Sequence, residues 1–520
     1  MSVETTAQHE ALIQSLMDAT RWPGGGENRQ RIDTHISTVL LAGEVAYKLK
    51  KPLDLGFLDF STLESRRRAC NEELRLNRRL APHIYQAVCA VTGSIDRPRI
   101  DGTGPVIDWA VRMRRFDPDA ILSAMMARLN TGLIDSLATQ VARFHAAADI
   151  CGPQQPFGRP DTVYEPMRQN LAQIKSCVPD FGSDVDRLGM WTAGQFDRLT
   201  GLLGDRRALG HIRECHGDLH LGNVALIDES PVIFDAIEFN PGLRWIDTLS
   251  DIAFMSMDLQ ERGRSDLAYR FLDRYLQETG DYEGLPLLRF YEVYRALVRA
   301  KIAAIRTTQA DLPAAEIQQV VLELRGYISF AKALCAPMRG AVVITHGVSG
   351  SGKSHIAGGR VDFLPAVRLR SDVERKRMLG IDPAADAAGR DAYAPGVTAK
   401  TYARLEALAR LVASAGYVAV VDATFLHVTQ REAFRQMAGS IGVAFAIVDC
   451  DAPLDVLRER ILARSGREGN VSDADLAVLE SQMGSREPLS DDERRPSVSV
   501  GPDLPLDRQA LGALLDVKRL

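Results

Sequence analysis

The chain has 520 residues, 46% hydrophobic and 25% charged, the balance of a globular protein long enough for two or three cores. A net charge of -5 and a pI of about 6.1 exclude the basic footprint of bulk nucleic-acid binding. The 7 cysteines are scattered without CxxC spacing, which argues against a zinc site or a disulfide framework. No basic-then-apolar leader opens the sequence and no run of about 18 apolar residues occurs, so a cytoplasmic protein without a membrane partner is expected.

In chain order, Val39–Leu41 and Val45–Lys50 read as a hairpin turning near Ala42-Gly43. The stretch 61–80 reads as a charged amphipathic helix, with Ser61 as N-cap and Glu64 in capping-box position. Residues 106–116 read as a further strand, and helical patterns dominate from Asp117 to Ala336. The exception is a pair of short apolar runs, 224–227 and 232–234, split by the turn-like Asp228-Glu229-Ser230-Pro231.

Between those helices lies His216-Gly217-Asp218-Leu219-His220-Leu221-Gly222-Asn223, followed by Phe234-Asp235-Ala236-Ile237-Glu238-Phe239. Asp218 and Asn223 have the spacing of a kinase catalytic loop, HRDxxxxN, in which the aspartate takes the hydroxyl proton and the asparagine holds metal. Asp235 stands where a second metal carboxylate belongs, and the hairpin between them would bring Asn223 and Asp235 to one Mg2+. Val45-Ala46-Tyr47-Lys48 answers the VAIK strand, with Lys50 on the same face as Lys48. Lys48 is the preferred ATP-binding lysine, and of Glu72 and Glu73 the latter is its preferred partner.

Residues 30 to 310 resemble the aminoglycoside phosphotransferase and choline kinase branch of the kinase-like fold, whose signature is HGDLHLGN with FDAIEF. Asp247 and Asp251 fit the acidic helix start that follows it there. One departure stands out: no GxGxxG precedes Lys48, and Thr34-His35-Ile36-Ser37 occupies its place.

At Pro337–Gly340 the pattern changes to near-continuous apolar runs, 341–344, 418–421 and 443–448, alternating with helices, as in a parallel sheet covered on both faces. After the first run comes Gly347-Val348-Ser349-Gly350-Ser351-Gly352-Lys353-Ser354, a complete GxxxxGKS. Gly347, Ser349, Gly350, Ser351 and Gly352 would turn backbone amides around phosphates, Lys353 would add charge, and Ser354 would hold Mg2+. A second strand ending at Arg370-Ser371-Asp372 places a candidate base, Asp372, at the ligand edge of the sheet, with Arg375 three residues on. A third strand ends at Asp422, a candidate metal ligand, and Arg460, Arg464 and Arg467 recur at helical spacing as a phosphate lid.

Residues 341 to about 485 resemble the small P-loop kinases of the polynucleotide kinase and gluconate kinase type. That resemblance implies that Asp372 is the base for an acceptor hydroxyl and Arg375 a contact to an acceptor phosphate. The whole chain resembles bacterial fusions named for an aminoglycoside phosphotransferase domain and an AAA-type ATPase domain.

The expected fold is thus an α+β kinase-like domain over 1–335, a small mixed lobe plus a helical lobe, followed by an α/β P-loop domain with a parallel sheet over 336–520. The expected function is transfer of the γ-phosphoryl of Mg-ATP to small-molecule or nucleotide hydroxyls. A nucleotide-sensing switch protein is the alternative. The oligomeric state is not encoded in any pattern found.

Overall fold

The computed structural model describes residues 3–17, 29–56, 58–308, 313–359, 364–381, 394–464 and 476–516. Their contacts gather into two compact units, residues 1–173 with 193–258, and residues 174–192 with 259–520.

The first unit is built on an antiparallel sheet: β1 (Gln30–Asp33), β2 (Ser37–Ala42), β3 (Val45–Lys50), β4 (Tyr85–Ser94), β5 (Arg97–Ile100) and β6 (Val106–Arg114). The order is β1-β2-β3-β6-β4-β5. Gly43 turns the β2–β3 hairpin at a φ of 56°, a left-handed conformation that a side chain would oppose. One sheet face closes over Leu12, Ile13 and Leu16 of the helix Thr6–Leu16, with Leu40, Leu49, Val91 and Ile107.

The helix Leu63–Asn77 packs on β4 and β6, burying Arg66, Ala69, Cys70, Glu73, Leu76 and Asn77 at spacings of three and four. Its N-cap is Thr62 rather than Ser61, and Ser65 rather than Glu64 completes the capping box. The Ser61 hydroxyl is already committed to Asp59 Oδ1 at 2.6 Å, which frees the next hydroxyl to cap.

Further along, β7 (Ile212–Glu214) pairs with β10 (Trp245–Asp247), and β8 (Val224–Ile227) with β9 (Ser230–Ile233). The β8–β9 turn has only Asp228 and Glu229 at its centre, both at positive φ, the geometry that matches strand twist. Pro231 lies within β9, which a two-stranded ribbon tolerates because one side carries no ladder.

The second unit carries the parallel sheet: β11 (Ala341–His346), β12 (Ala366–Arg370), β13 (Val418–Asp422), β14 (Ala444–Cys450) and β15 (Ser497–Val500), in the order β12-β13-β11-β14-β15. Central β11 is buried along its whole length, which explains its unbroken apolar run. Val343, Val420 and Val448 meet Ile356, Leu364, Leu511 and Leu515 across one face.

The sequence break at 335/336 marks where this sheet begins, but its packing starts earlier. The helix Ser265–Thr279 lies on edge strand β12, where Asp273 Oδ1 accepts from the Arg368 amide at 2.6 Å. Gln277 takes Arg368 Nη2 on its side chain at 3.1 Å and Arg377 Nη2 on its carbonyl at 2.6 Å. These groups occupy an edge that would otherwise present bare backbone. No described helix is long and apolar enough to cross a membrane.

Candidate active sites

In the first unit, β3 aims both its lysines inward. Lys48 Nζ lies 2.9 Å from Glu73 Oε1 and 2.5 Å from Asp235 Oδ1. Lys50 Nζ lies 2.5 Å from Glu73 Oε2 and also bonds Glu238. Burial alone would pull the Lys48 ammonium down, but Asp235 and Glu73 raise it well above the usual lysine range. Glu73 is held below the ordinary carboxylate range, because the two lysines outweigh its own burial. Glu238 is raised, with burial as the leading cause.

The loop 216–223 is fixed from beneath. Asp251 accepts from the His216 amide at 3.0 Å, the Gly217 amide at 2.9 Å and His145 Nε2 at 3.1 Å. Gly217 has φ 89°, and a Cβ there would stand 2.7 Å from the Leu243 carbonyl oxygen, so glycine is required. His216 is buried, which pushes its pKa down, and its Nε2 meets the Phe234 carbonyl at 2.9 Å. Asn223 Nδ2 donates to Asp218 Oδ2 and to the Asp218 carbonyl, each at 2.9 Å, and His220 lies 3.3 Å from Asp218 Oδ2.

Across the β8–β9 hairpin the Phe234 amide bonds the Asn223 carbonyl at 2.9 Å, bringing Asp235 to the same place. Asp235 has a φ of 64°, unusual for a residue with a side chain, and Tyr85 Oη holds its amide at 3.2 Å. Lys48, Glu73, Asp218, Asn223 and Asp235 are thus gathered by the fold. In place of a glycine loop, Thr34–Ser37 form a tight turn in which the Thr34 amide and hydroxyl both bond the Ser37 carbonyl.

In the second unit the carboxyl ends of β11, β12 and β13 open on a cavity of about 690 Å³. Lys353, Ser354, Asp372, Arg375 and Asp422 line it together with Arg370, Tyr402 and Gln482. Gly347, Gly350 and Gly352 adopt positive φ, and a Cβ at Gly347 would stand 2.2 Å from the Cys450 carbonyl oxygen. Lys353 Nζ folds back on the Val348 carbonyl at 2.7 Å, and Ser351 Oγ is 3.5 Å from it. Ser354 Oγ lies 3.2 Å from Asp422 Oδ1.

Asp372 sits in the first turn of the helix Ser371–Met378 rather than at a strand end, because β12 stops at Arg370. The Arg375 guanidinium reaches Asp372 Oδ1 at 3.0 Å, one helical turn away. Arg460 touches the P-loop itself, Nη1 to the Gly350 carbonyl at 3.2 Å. The Arg464 side chain and Arg467 lie outside the described residues.

Several site residues carried no spacing signal in the sequence. Gln482 Oε1 takes the Ser349 amide at 2.7 Å, and Tyr402 Oη takes the Phe425 amide at 3.0 Å. His145, Cys215 and Asp251 form a buried group whose ligand-type atoms lie within 4.8 Å of one another. The Asp251 carboxylate there is already used by two loop amides and His145, so it serves as a hydrogen-bond anchor.

A model of the phosphotransferase enzyme family matches residues 57–291, and a model of an AAA domain matches residues 342–489. An uncharacterised protein of Mycobacterium tuberculosis is 31% identical over 464 residues, covering 87% of this chain and 89% of the relative. A choline/ethanolamine kinase family protein from Mesorhizobium loti superposes on 63% of this chain and 94% of its own, with 14% identity and a TM-score of 0.39. A sugar kinase from Janibacter superposes on 35% of this chain and 96% of its own, with 24% identity and a TM-score of 0.25.

Proposed function

We propose that this chain, which belongs to the family of its mycobacterial relative and joins a phosphotransferase-enzyme domain to a P-loop AAA domain, carries two phosphotransferase centres that move the γ-phosphoryl of Mg-ATP to hydroxyl acceptors. One centre belongs to residues 1–335 and one to residues 336–520. The acceptors we assign are small molecules or nucleotide ends, met in the cytoplasm. The observation that carries the reading is the cavity of the second unit. A phosphate-gripping loop with Lys353 forms one wall, and a carboxylate beside a guanidinium, Asp372 with Arg375, stands on another.

Each centre would work through its own side chains. Asp372 accepts the acceptor's hydroxyl proton while Arg375 binds an anionic group on that acceptor. Lys353 and the loop amides stabilise charge on the transferring phosphoryl group, with Arg460, Arg464 and Arg467 assigned to the lid. In the first centre Asp218 takes the proton role, held in orientation by Asn223, and Lys48 turns to the nucleotide while Glu73 steadies it. Asn223 with Asp235, and Ser354 with Asp422, are oxygen-donor sets suited to Mg2+, which would neutralise phosphate charge when bound.

A switch role is favoured by one observation in the first centre only, the Thr34–Ser37 turn in place of a glycine loop. ADP release by the full chain carrying Asp218→Asn, which silences the proposed first centre, with and without 5′-hydroxyl oligonucleotides, sugar acids and a metabolite pool, separates the two readings for the P-loop module. Acceptor-dependent release that disappears in Asp372→Ala, with ATP still bound, is the kinase outcome. Full-rate hydrolysis without acceptor, unchanged by Asp372→Ala, makes the P-loop module an ATPase switch.

A further inference from the structure

Lys50 is fully buried, yet neither the catalytic loop nor the nucleotide role assigned to Lys48 uses it. Its position follows from strand alternation: β3 puts residues 48 and 50 on one face, one beyond the other. The Glu73 carboxylate stands between them, Oε1 at 2.9 Å from Lys48 and Oε2 at 2.5 Å from Lys50. Each ammonium then directs a hydrogen bond forward into the loop after β9, Lys48 to Asp235 and Lys50 to Glu238. Phe60 closes the far side, its ring centre 5.4 Å from Lys50 Nζ. With no exposed surface, Lys50 has no access to a nucleotide.

We infer that Lys50 is a positioning residue of the first centre, holding Glu73 and the 235–238 loop in place while Lys48 exchanges Asp235 for nucleotide phosphate. This rests on the reading of that centre as an ATP site. When Lys48 shares its charge with phosphate, the buried Glu73 carboxylate would lose part of its counter-charge, a costly change. Lys50 supplies that charge in both conditions, because its own partners, Glu73 and Glu238, are buried with it. Glu238 lies three residues after Asp235, so the same ammonium fixes the loop that presents Asp235. The network therefore has one lysine that moves and one that stays.

The test uses the full chain carrying Lys353→Ala, so that Mg-ATP is read at the first centre alone, by calorimetric titration together with thermal melting. Lys50→Met should lower the melting temperature and weaken Mg-ATP binding by about 10–100-fold, the range for lost charged hydrogen bonds. Lys50→Met combined with Glu238→Gln removes the stranded charge. It should recover most of the melting temperature while Mg-ATP affinity stays at least about 10-fold down. Recovery of both properties in the double variant, or wild-type affinity in Lys50→Met, would make Lys50 a purely structural residue and overturn the inference. Absence of Mg-ATP binding by the Lys353→Ala chain before any change at Lys50 is a different failure. It removes the ATP reading of the first centre, and the inference falls with it.

Discussion

Cutting the chain at the sequence boundary, so that a fragment starts at residue 336, should give a P-loop module much weaker than one starting at residue 259. The shorter piece loses Asp273 from the Arg368 amide, Gln277 from both Arg368 and Arg377, and Arg270 from the Gly358 carbonyl. Four such hydrogen bonds are worth about 4 kcal/mol at a net 1 kcal/mol each. Tyr417 also loses the ring of Tyr269, 6.4 Å away, uncovering apolar surface worth about 2 kcal/mol. The loss of about 6 kcal/mol compares with a total stability of about 5–15 kcal/mol for a domain. For a module of this size, that loss corresponds to a fall in Tm of about 12–24 °C. Thermal melting of the 259–520 and 336–520 fragments measures it directly, and Asp273→Ala in the longer one isolates the edge contact at about 1–3 kcal/mol. Equal melting temperatures for the two fragments would refute the reasoning and support 336 as a folding boundary.

Asp218→Asn, read in the Lys353→Ala chain with a metabolite pool, should keep Mg-ATP binding and lose about 10²–10⁴-fold in turnover. Asp235→Ala in the same background should instead weaken Mg-ATP binding, and unchanged affinity would misplace the metal. Gly347→Ala should destabilise the second module and abolish its ATP binding, because the new methyl would meet the Cys450 carbonyl; calorimetry on the full chain checks this. Burial lowers the His9 pKa from 6.5 to about 4, so the unfolded chain binds the extra proton first. His9 therefore contributes stability that is complete above pH 6.5 and is lost as pH falls toward about 4. Melting of His9→Gln against wild type should show this slope flattened, and identical slopes would contradict it.

Both candidate sites were legible because their motifs are written at fixed spacing on one short segment each. Asp218 and Asn223 share one loop, and residues 347–354 form another, so their geometry is local. Tertiary choices were not legible. Lys48 and Lys50 satisfy the same strand pattern, and only the placement of Asp235 and Glu238 gives them different partners. Thr62 wins the helix cap because Asp59 has claimed Ser61, a competition between neighbours that a capping pattern does not encode. Strands β7 and β10 are three residues long and carry no periodicity to read. The helix Ser265–Thr279 looks like any amphipathic helix, and its Asp273 acquires meaning only beside an uncovered strand edge.

The tight turn at Thr34–Ser37 has an evolutionary consequence. Its Thr34 and Ser37 amides are spent inside the turn, so on the proposed reading the first centre grips phosphate through side chains. A grip of that kind is one substitution away from silence, at Lys48 or Asp235, while the surrounding lobe stays folded. The P-loop shares its proposed grip between Lys353 and main-chain amides, none of them the acceptor base, so its nucleotide affinity can outlast its chemistry. Descendants of this chain should therefore decay asymmetrically: the first module passing from enzyme to inert scaffold, the second from enzyme to nucleotide sensor.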